Sequence, residues 1–157
     1  MTDDGTSPPE IETRVGLREL EGIAENLWEG DRRAVEAAGY PDTLTWAFHE
    51  AVAADAMYAL LDGGGLLGLC FVRDQPDGRR SVAFAKTARL AARHRVAFAR
   101  GIGALARELA RLERRRGASG PAFIPDPGGR DRDWFLRFGF RAGPEGWLEM
   151  PDGGTEG

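Results

Sequence analysis

The chain has 157 residues, 42% of them hydrophobic, and a formal net charge of −4, which is ordinary for a globular protein with one core. No apolar run approaches the ~20 residues of a membrane-spanning helix, and the acidic start MTDDGTSPPEIE lacks the order of a signal peptide. The single cysteine, Cys70, has no disulfide partner, and one cysteine with two histidines excludes a Cys/His zinc site. We therefore expect a cytoplasmic protein without a metal and with an inert, buried thiol.

The charge is unevenly distributed along the chain. Acidic residues exceed basic ones by about eleven in residues 1–78, and basic residues exceed acidic ones by about ten between Arg79 and Arg116. The basic stretch fits an anionic partner. It fits equally well arginines that line the solvent face of a long helix and pair with acids elsewhere. Nucleic acid is not expected, because the chain as a whole is acidic.

The pattern of the first half predicts one strand and three helices between two polar chain ends. Residues 1–12 and 151–157 are polar and are expected to be disordered tails around a single domain, 13–150. Alternation over 13–17 predicts a strand, and helical spacing follows with a break near Gly30. Asp31 can cap the second helix, which ends at Gly39. Pro41 opens a third helix whose apolar face holds Leu44, Phe48 and Val52.

The central segment changes to an antiparallel β pattern. Two apolar runs, Met57–Leu61 and Leu66–Arg73, flank the turn DGGG and predict a hairpin. A second turn, QPDG, is followed by RRSVAFAKT, which predicts a third strand.

The last third predicts a long helix followed by strand, short helix and strand. The long helix has an apolar stripe and ends at Gly117, and its stripe consists of Phe98, Ile102, Leu105, Leu109 and Leu112. Three stretches follow the long helix. The pattern predicts a short strand in GPAFIPD, an amphipathic helix ending at Gly139 in RDRDWFLRFGF, and a last strand in GWLEM.

Two glycines at the start of the long helix need a reason, because glycine inside a helix costs about 1 kcal/mol relative to alanine. In FARGIGALARELARLERRRG, Gly101 and Gly103 follow a predicted strand and precede the amphipathic stripe. Exposed N–H groups at a helix N-terminus bind phosphates, and glycines allow the close approach. The alternative is that they merely let the helix pack closely on the sheet.

This order of elements, with RGIGALARELARLERRRG and DPGGRDRDWFLRFGF, resembles the GNAT acetyltransferase superfamily over residues 79–150. The resemblance implies an α/β (α+β) fold: a central mixed, mostly antiparallel sheet flanked by helices. It also implies transfer of an acetyl group from acetyl-CoA to an amine acceptor. The cofactor's pyrophosphate would contact the glycine segment, whose residues are Arg95, Arg100, Gly101, Ile102, Gly103 and Ala104.

The first half is similar to one branch of that superfamily, the small phage proteins related to an internal virion protein of T7-type phages. The stretches that carry this similarity are GDRRAVEAAGY, LTWAFHEAVAADAMYALLDGGGLLGLCFV and FAKTARLAARHRVAFARG. The branch implies an alternative function: a catalytically silent virion structural or assembly protein with phage proteins as partners.

The sequence departs from the superfamily at two positions. Where the glycine motif usually begins with Gln or Arg, this chain has Phe98 if Gly101 and Gly103 are aligned. Where many members have a tyrosine that protonates the leaving thiolate, this chain has Phe135, which cannot donate a proton. Whether the protein is an active enzyme is therefore left open, and the site is predicted to be degenerate.

An acetyltransferase also needs a general base that removes a proton from the acceptor amine. The candidates are Glu25 and Glu29, four residues apart and hence on one face of a single predicted helix, together with Asp31 and His49. The alternative for the glutamates is an ordinary solvated face. Lys86 is the only lysine of the chain, and nothing in the sequence pattern assigns it a function.

Overall fold

The computed structural model describes residues 9–63, 65–91, 95–118, 120–137 and 139–151, with the backbone alone at 95–104, 130, 131 and 134. The predicted tails lie mostly outside these residues, but part of the N-terminal one forms a short strand, β1 (Glu10–Glu12). The strand expected over residues 13–17 is not found. That prediction was wrong because the alternating residues lead directly into a helix that begins at Leu17.

Three helices follow β1: α1 (Leu17–Asn26), α2 (Glu29–Ala37) and α3 (Thr43–Ala53). The break between the first two lies at Leu27 and Trp28, two residues before Gly30. Asp31 is therefore the third residue of α2 and not its cap, and Trp28 occupies the N-cap position. The third helix is capped by Asp42, whose side chain accepts a hydrogen bond from the Thr45 N–H at 2.7 Å.

The predicted hairpin and third strand are confirmed. They are β2 (Ala56–Asp62), β3 (Gly65–Asp74) and β4 (Arg80–Lys86), paired antiparallel in chain order. A short helix, α4 (Ala88–Ala91), and a long one, α5 (Arg95–Arg115), lead to the second half of the sheet.

The last third of the chain completes the sheet. It contains β5 (Ala122–Pro125), α6 (Gly129–Arg137), β6 (Arg141–Ala142) and β7 (Trp147–Glu149), of which β6 had not been predicted. Among the described residues, the strand order is β1-β2-β3-β4-β5-β7-β6, and β4 with β5 forms the parallel pair. The expected mixed, mostly antiparallel sheet flanked by helices is confirmed.

The helices pack on both faces of this sheet. One face buries Leu69, Phe71 and Ala85 against Leu20 and Ile23 of α1. The opposite face of the sheet packs against Leu105 and Leu109 of α5. Its buried strand residues include Tyr58, Leu60, Val72 and Val82. The central strands are therefore covered on both sides, which explains their continuous apolar runs.

The third helix presents an unexpected face to solvent. Leu44, Phe48 and Val52 do share one side of α3, but that side is exposed, and Val52 is 87% exposed. The helix buries small and aromatic residues instead, with Ala47 fully buried and Trp46 in edge contact with Phe71. The spacing of the hydrophobic residues thus predicted the helix correctly. It did not predict which side of the helix packs against the core.

A buried carboxylate ties three elements together. Glu113 of α5 is 0% exposed and accepts hydrogen bonds from Tyr58 of β2, from Arg80 of β4 at 2.7 Å and from Arg116 at 2.8 and 2.9 Å. Arg116 also donates to both oxygens of Asp74 at 2.9 Å. Each ionised group is paired and hydrogen-bonded, as buried charge requires.

This network sets the protonation of its members. Burial acts to raise the pKa of Glu113, but the hydrogen bonds from Arg116, Tyr58 and Arg80 outweigh it, and the net pKa is lowered. Burial, with the nearby Glu113 charge, raises the pKa of Cys70 to about 12. The thiol is therefore protonated at neutral pH, which supports the prediction that it is unreactive. No group of three or more possible metal ligands, and no helix apolar and long enough to span a membrane, occurs among the described residues.

We expect Glu113→Gln to destabilise the fold by about 3–5 kcal/mol, because it leaves the buried Arg80 without its carboxylate. Since the folded pKa of Glu113 is lowered, its contribution is complete above the ordinary value of 4.5 and is lost as the pH falls below it. Denaturant unfolding at a series of pH values measures this, and the wild type and variant should converge in acid. The control is Glu108→Gln, which breaks an exposed pair with Arg111 on the same helix and should cost about 0–1 kcal/mol.

A second prediction concerns Gly68 of β3, which pairs with Lys86. A Cβ at this position would lie 2.5 Å from the Ala85 carbonyl oxygen and 2.8 Å from the Phe84 ring. We expect Gly68→Ala to cost about 1–3 kcal/mol, since main chain must move to accommodate the methyl group. Gly63→Ala in the adjoining turn has open space and should change stability by about 0.5 kcal/mol at most. Equal effects in thermal unfolding would contradict this account.

Candidate active site

The two parallel strands of the sheet separate after their first residues. Arg80 and Ser81 of β4 pair with Ala122 and Phe123 of β5, and the pairing between them extends no further in the described part of the chain. The strand β4 itself continues for five more residues, to Lys86. The two strands are thus joined at the Arg80 end of β4 and unpaired from there toward Lys86, and we call this unpaired stretch the gap.

Main-chain donors of β4 face this gap. The N–H of Arg80 donates to the Pro121 carbonyl at 2.8 Å, on the β5 side, whereas the N–H of Thr87 donates to Leu67 of β3 at 2.9 Å. Because successive residues of a strand direct their main-chain groups to opposite edges, the N–H groups of Val82 and Phe84 also face β5. The parallel pairing of Ser81 with Phe123 engages the Val82 N–H with the Phe123 carbonyl. The Phe84 N–H lies beyond the paired region and can bind the oxygen of a ligand that enters the gap.

The open end of the gap meets the junction between α1 and α2. The Trp28 N–H donates to the carbonyl of Lys86 at 2.8 Å, and the Lys86 N–H donates to Asp31 Oδ2 at 3.0 Å. Leu27 and Thr87 add an isolated antiparallel bridge. The last residue of β4 is thus held at both main-chain groups by the start of α2, and not by β5.

Asp31 is half-buried at this junction, and its environment favours the protonated form. Burial raises its pKa, and the Lys86 N–H and the positive charge of Lys86 oppose that effect only in part. A carboxylate with a raised pKa in a cleft is suited to accept a proton from a bound group.

The indole of Trp28 is fixed between Lys86 and Gly30. Lys86 Nζ lies 4.4 Å from the centre of the Trp28 ring, within the range of a cation–π interaction. On Gly30, a Cβ would lie 2.1 Å from the same indole, so only glycine allows the ring to rest against the helix. Trp28 nevertheless remains 36% exposed and forms part of the accessible surface at the open end.

The two glutamates predicted as general bases are not on one helical face. Glu25 is exposed near the end of α1, whereas Glu29 begins α2, so the chain turns between them. Glu29 is also exposed and pairs with Arg33 at 3.4 Å. The expectation of a shared face was wrong. The sequence pattern put the helix break near Gly30, whereas α1 ends at Asn26, before Glu29. Of the acidic candidates, the structure places Asp31 at the gap.

The predicted glycine loop lies inside a helix. Since α5 begins at Arg95, Gly101 and Gly103 are its seventh and ninth residues, and the N–H groups left unpaired in a helix are the first four. The expectation that these glycines stand at the helix mouth was wrong, because the helix starts about two turns earlier. The side chains of Arg95, Arg100, Ile102 and Ala104 lie outside the described residues, and their contact with a cofactor stays a prediction.

The remaining sequence candidates have structural partners. His49 Nδ1 lies 2.8 Å from the Tyr40 hydroxyl, on exposed surface. Phe135 packs in a cluster with Phe140 and Leu148, with a ring-centre distance of 4.8 Å to Phe140. Phe135 therefore contributes to packing, as expected of a phenyl ring. Phe98 has no described side chain.

Trp28 and Lys86 were not among the residues predicted for the site. The feature of the sequence that sets Lys86 apart is that it is the only lysine. Its position over Trp28 depends on the packing of α2 against the end of β4, which no local pattern encodes.

The fold is similar to that of solved acetyltransferases. The PaiA N-acetyltransferase from Thermoplasma acidophilum, in complex with coenzyme A, matches with a TM-score of 0.57 at 11% identity, covering 92% of this chain and 99% of its own. A GNAT family acetyltransferase from Brucella melitensis, in complex with acetyl-CoA, matches with a TM-score of 0.54 at 16% identity, covering 91% and 87%.

The ribosomal-protein-S18-alanine N-acetyltransferase from Escherichia coli matches with a TM-score of 0.56 at 10% identity, covering 91% of this chain and 93% of its own. No model of a protein family matches the sequence, and a search of curated proteins finds no match either. These structures share the fold of this chain and do not bear on the phage branch. The chain has the single-domain, mixed α/β fold of the GNAT acetyltransferases.

Proposed function

We propose that the protein is an acyl-CoA-dependent N-acetyltransferase that transfers an acetyl group from acetyl-CoA to an amine. The observation that carries the proposal is the gap between β4 and β5, which opens beyond the pairing of Ser81 with Phe123 and leaves the N–H group of Phe84 facing it. The half-buried carboxylate of Asp31 lies where the gap opens. Together these place a main-chain donor of β4 and a proton acceptor of α2 along the same gap.

The gap suits acetyl-CoA as a cosubstrate. When bound, acetyl-CoA supplies an acetyl group activated as a thioester. The N–H group of Phe84 would donate to a carbonyl oxygen of that molecule, and a donor fixed in a strand needs no rearrangement when charge develops on such an oxygen. The backbone at this edge is rigid, because the other edge of β4 is fully paired with β3 from Gly68 to Asp74.

Asp31 is proposed as the general base. An acceptor amine is protonated at neutral pH and must lose a proton before its lone pair can attack. The raised pKa of Asp31 makes its carboxylate a better proton acceptor than an exposed aspartate. Its second oxygen, Oδ1, is not the one that accepts from the Lys86 N–H. The half-exposed indole of Trp28 would border the acceptor.

The phosphate end of the cosubstrate is proposed to contact the first half of α5. Helix N-termini favour negative charge, and Arg95 is the first residue of α5. Arg100, Gly101, Ile102, Gly103 and Ala104 lie further along the same half, where the main-chain N–H groups are inside the helix. The role of these six residues rests on the sequence resemblance and on the position of α5 after β4.

The alternative of a silent virion protein differs in one measurable property, the binding of acetyl-CoA. We expect acetyl-CoA to raise the midpoint of thermal unfolding progressively with concentration, because a ligand bound only by the folded chain adds about 2.7 kcal/mol at a hundred times its Kd. No shift at millimolar acetyl-CoA would overturn the proposal.

Two variants at Phe84 localise that binding to the gap. Phe84→Ala removes the ring and keeps the N–H, whereas Phe84→Pro removes both. Proline at this position spares the pairing with β3, because the Phe84 N–H faces the other edge. We expect Phe84→Pro to bind acetyl-CoA up to about tenfold more weakly than Phe84→Ala, the effect of one hydrogen bond. Equal affinities would exclude the Phe84 N–H as a donor to the ligand.

A further prediction concerns the stability cost of Asp31. Since the folded pKa of Asp31 is raised, its contribution to stability is present at low pH and is lost as the pH rises through that pKa. Asp31→Asn keeps an acceptor for the Lys86 N–H without the charge, and we expect it to be more stable than the wild type at pH 7. Denaturant unfolding should show this difference disappearing in acid.

The matched control is Glu36→Gln, an exposed position on the same helix that should change stability little at either pH. A less stable Asp31→Asn at pH 7 would indicate that the charged carboxylate is there for structure and not for chemistry.

A further inference from the structure

Lys86 differs from every other basic residue of the chain. It is the only lysine among 21 Lys and Arg residues. Arginine and lysine serve equally well as exposed positive charges, but an arginine cannot become a nucleophile, whereas a lysine amine can. In a chain that uses arginine everywhere else, a lysine at the open end of the gap suggests a role for the amine itself.

The surroundings of Lys86 hold its amine at the candidate site. Its N–H and carbonyl are bound by Asp31 and Trp28, at 3.0 and 2.8 Å. Its Nζ rests 4.4 Å from the centre of the Trp28 ring, and Gly30 makes room for that ring. A long side chain that would otherwise sample many rotamers is therefore kept beside the gap.

A purely structural role would not require this residue type. A guanidinium stacks on an aromatic face at least as readily as an ammonium does, and arginine is the more frequent partner of such rings. Arginine would also supply the positive charge that acts on Asp31. The two main-chain hydrogen bonds are independent of the side chain. What remains specific to lysine is an amine that can lose a proton and form a bond.

We propose that Lys86 is an acetyl acceptor, and that the protein acetylates this lysine from acetyl-CoA bound in its own gap. The inference rests on the proposed function, because the thioester must lie along β4. It adds a modification site and names a primary alkylamine as an acceptor class.

The step balances as follows. The Lys86 ammonium gives one proton to the Asp31 carboxylate through a bridging water, and the Nζ lone pair forms a bond to the acetyl carbonyl carbon. The carbon–sulfur bond breaks with its electron pair left on sulfur, and the second amine proton passes to that thiolate. The products are N-acetylated Lys86 and coenzyme A, and Asp31 then releases its proton to water.

Acetylation would also change the site. The acetylated side chain carries no charge, so the cation–π contact with Trp28 is lost. The positive charge that partly lowers the pKa of Asp31 disappears too, and the carboxylate should become still more easily protonated. The modified and unmodified proteins should therefore differ in tryptophan fluorescence.

The experiment incubates the full chain with acetyl-CoA at neutral pH and follows the intact mass. Trypsin cleaves after Arg80, Lys86 and Arg89, and acetylation blocks the cut at Lys86. We expect one acetyl group per chain and an uncut acetylated peptide Ser81–Arg89. Acetylation confined to the N-terminal amine, or none, in a chain whose unfolding midpoint acetyl-CoA raises, would overturn this inference and leave the proposed function standing. No rise in the midpoint would overturn both.

Three controls separate the catalysed reaction from chemical acetylation by the thioester. Lys86→Arg keeps the charge and the ring contact and should bind acetyl-CoA as the wild type does, without the modified peptide. Asp31→Asn should be modified about 10²–10⁴-fold more slowly, with its acetyl-CoA affinity retained. Glu36→Gln should match the wild type. Labelling of Lys86 at the same rate in urea-unfolded chain would show that the fold contributes nothing and would overturn the proposal.

Discussion

The closed end of the gap depends on Arg80. Its main chain pairs with β5, while its guanidinium donates to Glu113 of α5 at 2.7 Å and to the Gly120 carbonyl, just before β5, at 3.0 Å. A single side chain therefore fixes β4, β5 and the end of α5 relative to one another. Glu113 is buried and accepts hydrogen bonds from three side chains. This end therefore cannot open without leaving the buried charge of Glu113 without its partners. The separation of the strands is thus confined to the other end.

At the open end the same strand is held by different means. The main chain of Lys86 is bound by Trp28 and Asp31, at the position where a neighbouring strand would otherwise pair. This arrangement supports β4 without covering the N–H group of Phe84. It also places a carboxylate whose pKa is raised by burial next to the only lysine of the chain. Because β4 is bound to β5 at one end and to α2 at the other, the edge of β4 between these two ends is left unpaired.

The basic stretch pairs only in part with acids of the first half. Arg116 pairs with Asp74 and Arg89 with Asp62, whereas Glu113 and Glu108, which pair with Arg80, Arg116 and Arg111, belong to the stretch itself. The arginines at the start of α5 are the ones proposed to meet an anionic cosubstrate. The exposed stripe of α3 illustrates the converse: a clear apolar period, Leu44, Phe48 and Val52, without a partner among the described residues.

The sequence by itself determined the type and order of most elements, because hydrophobic period and turn residues are local: the hairpin around DGGG, β4 and the long helix all follow from them. It also identified Asp31 among several possible bases and Lys86 as the only lysine. Only the tertiary structure decided which candidates meet. Glu25 and Glu29 do not share a helical face because α1 ends at Asn26. Gly101 and Gly103 lie inside α5 because that helix begins at Arg95. Trp28, Asp31 and Lys86 came together because α2 packs across the end of β4. Contacts between residues more than 50 positions apart arise from packing, and no local pattern in the chain specifies them.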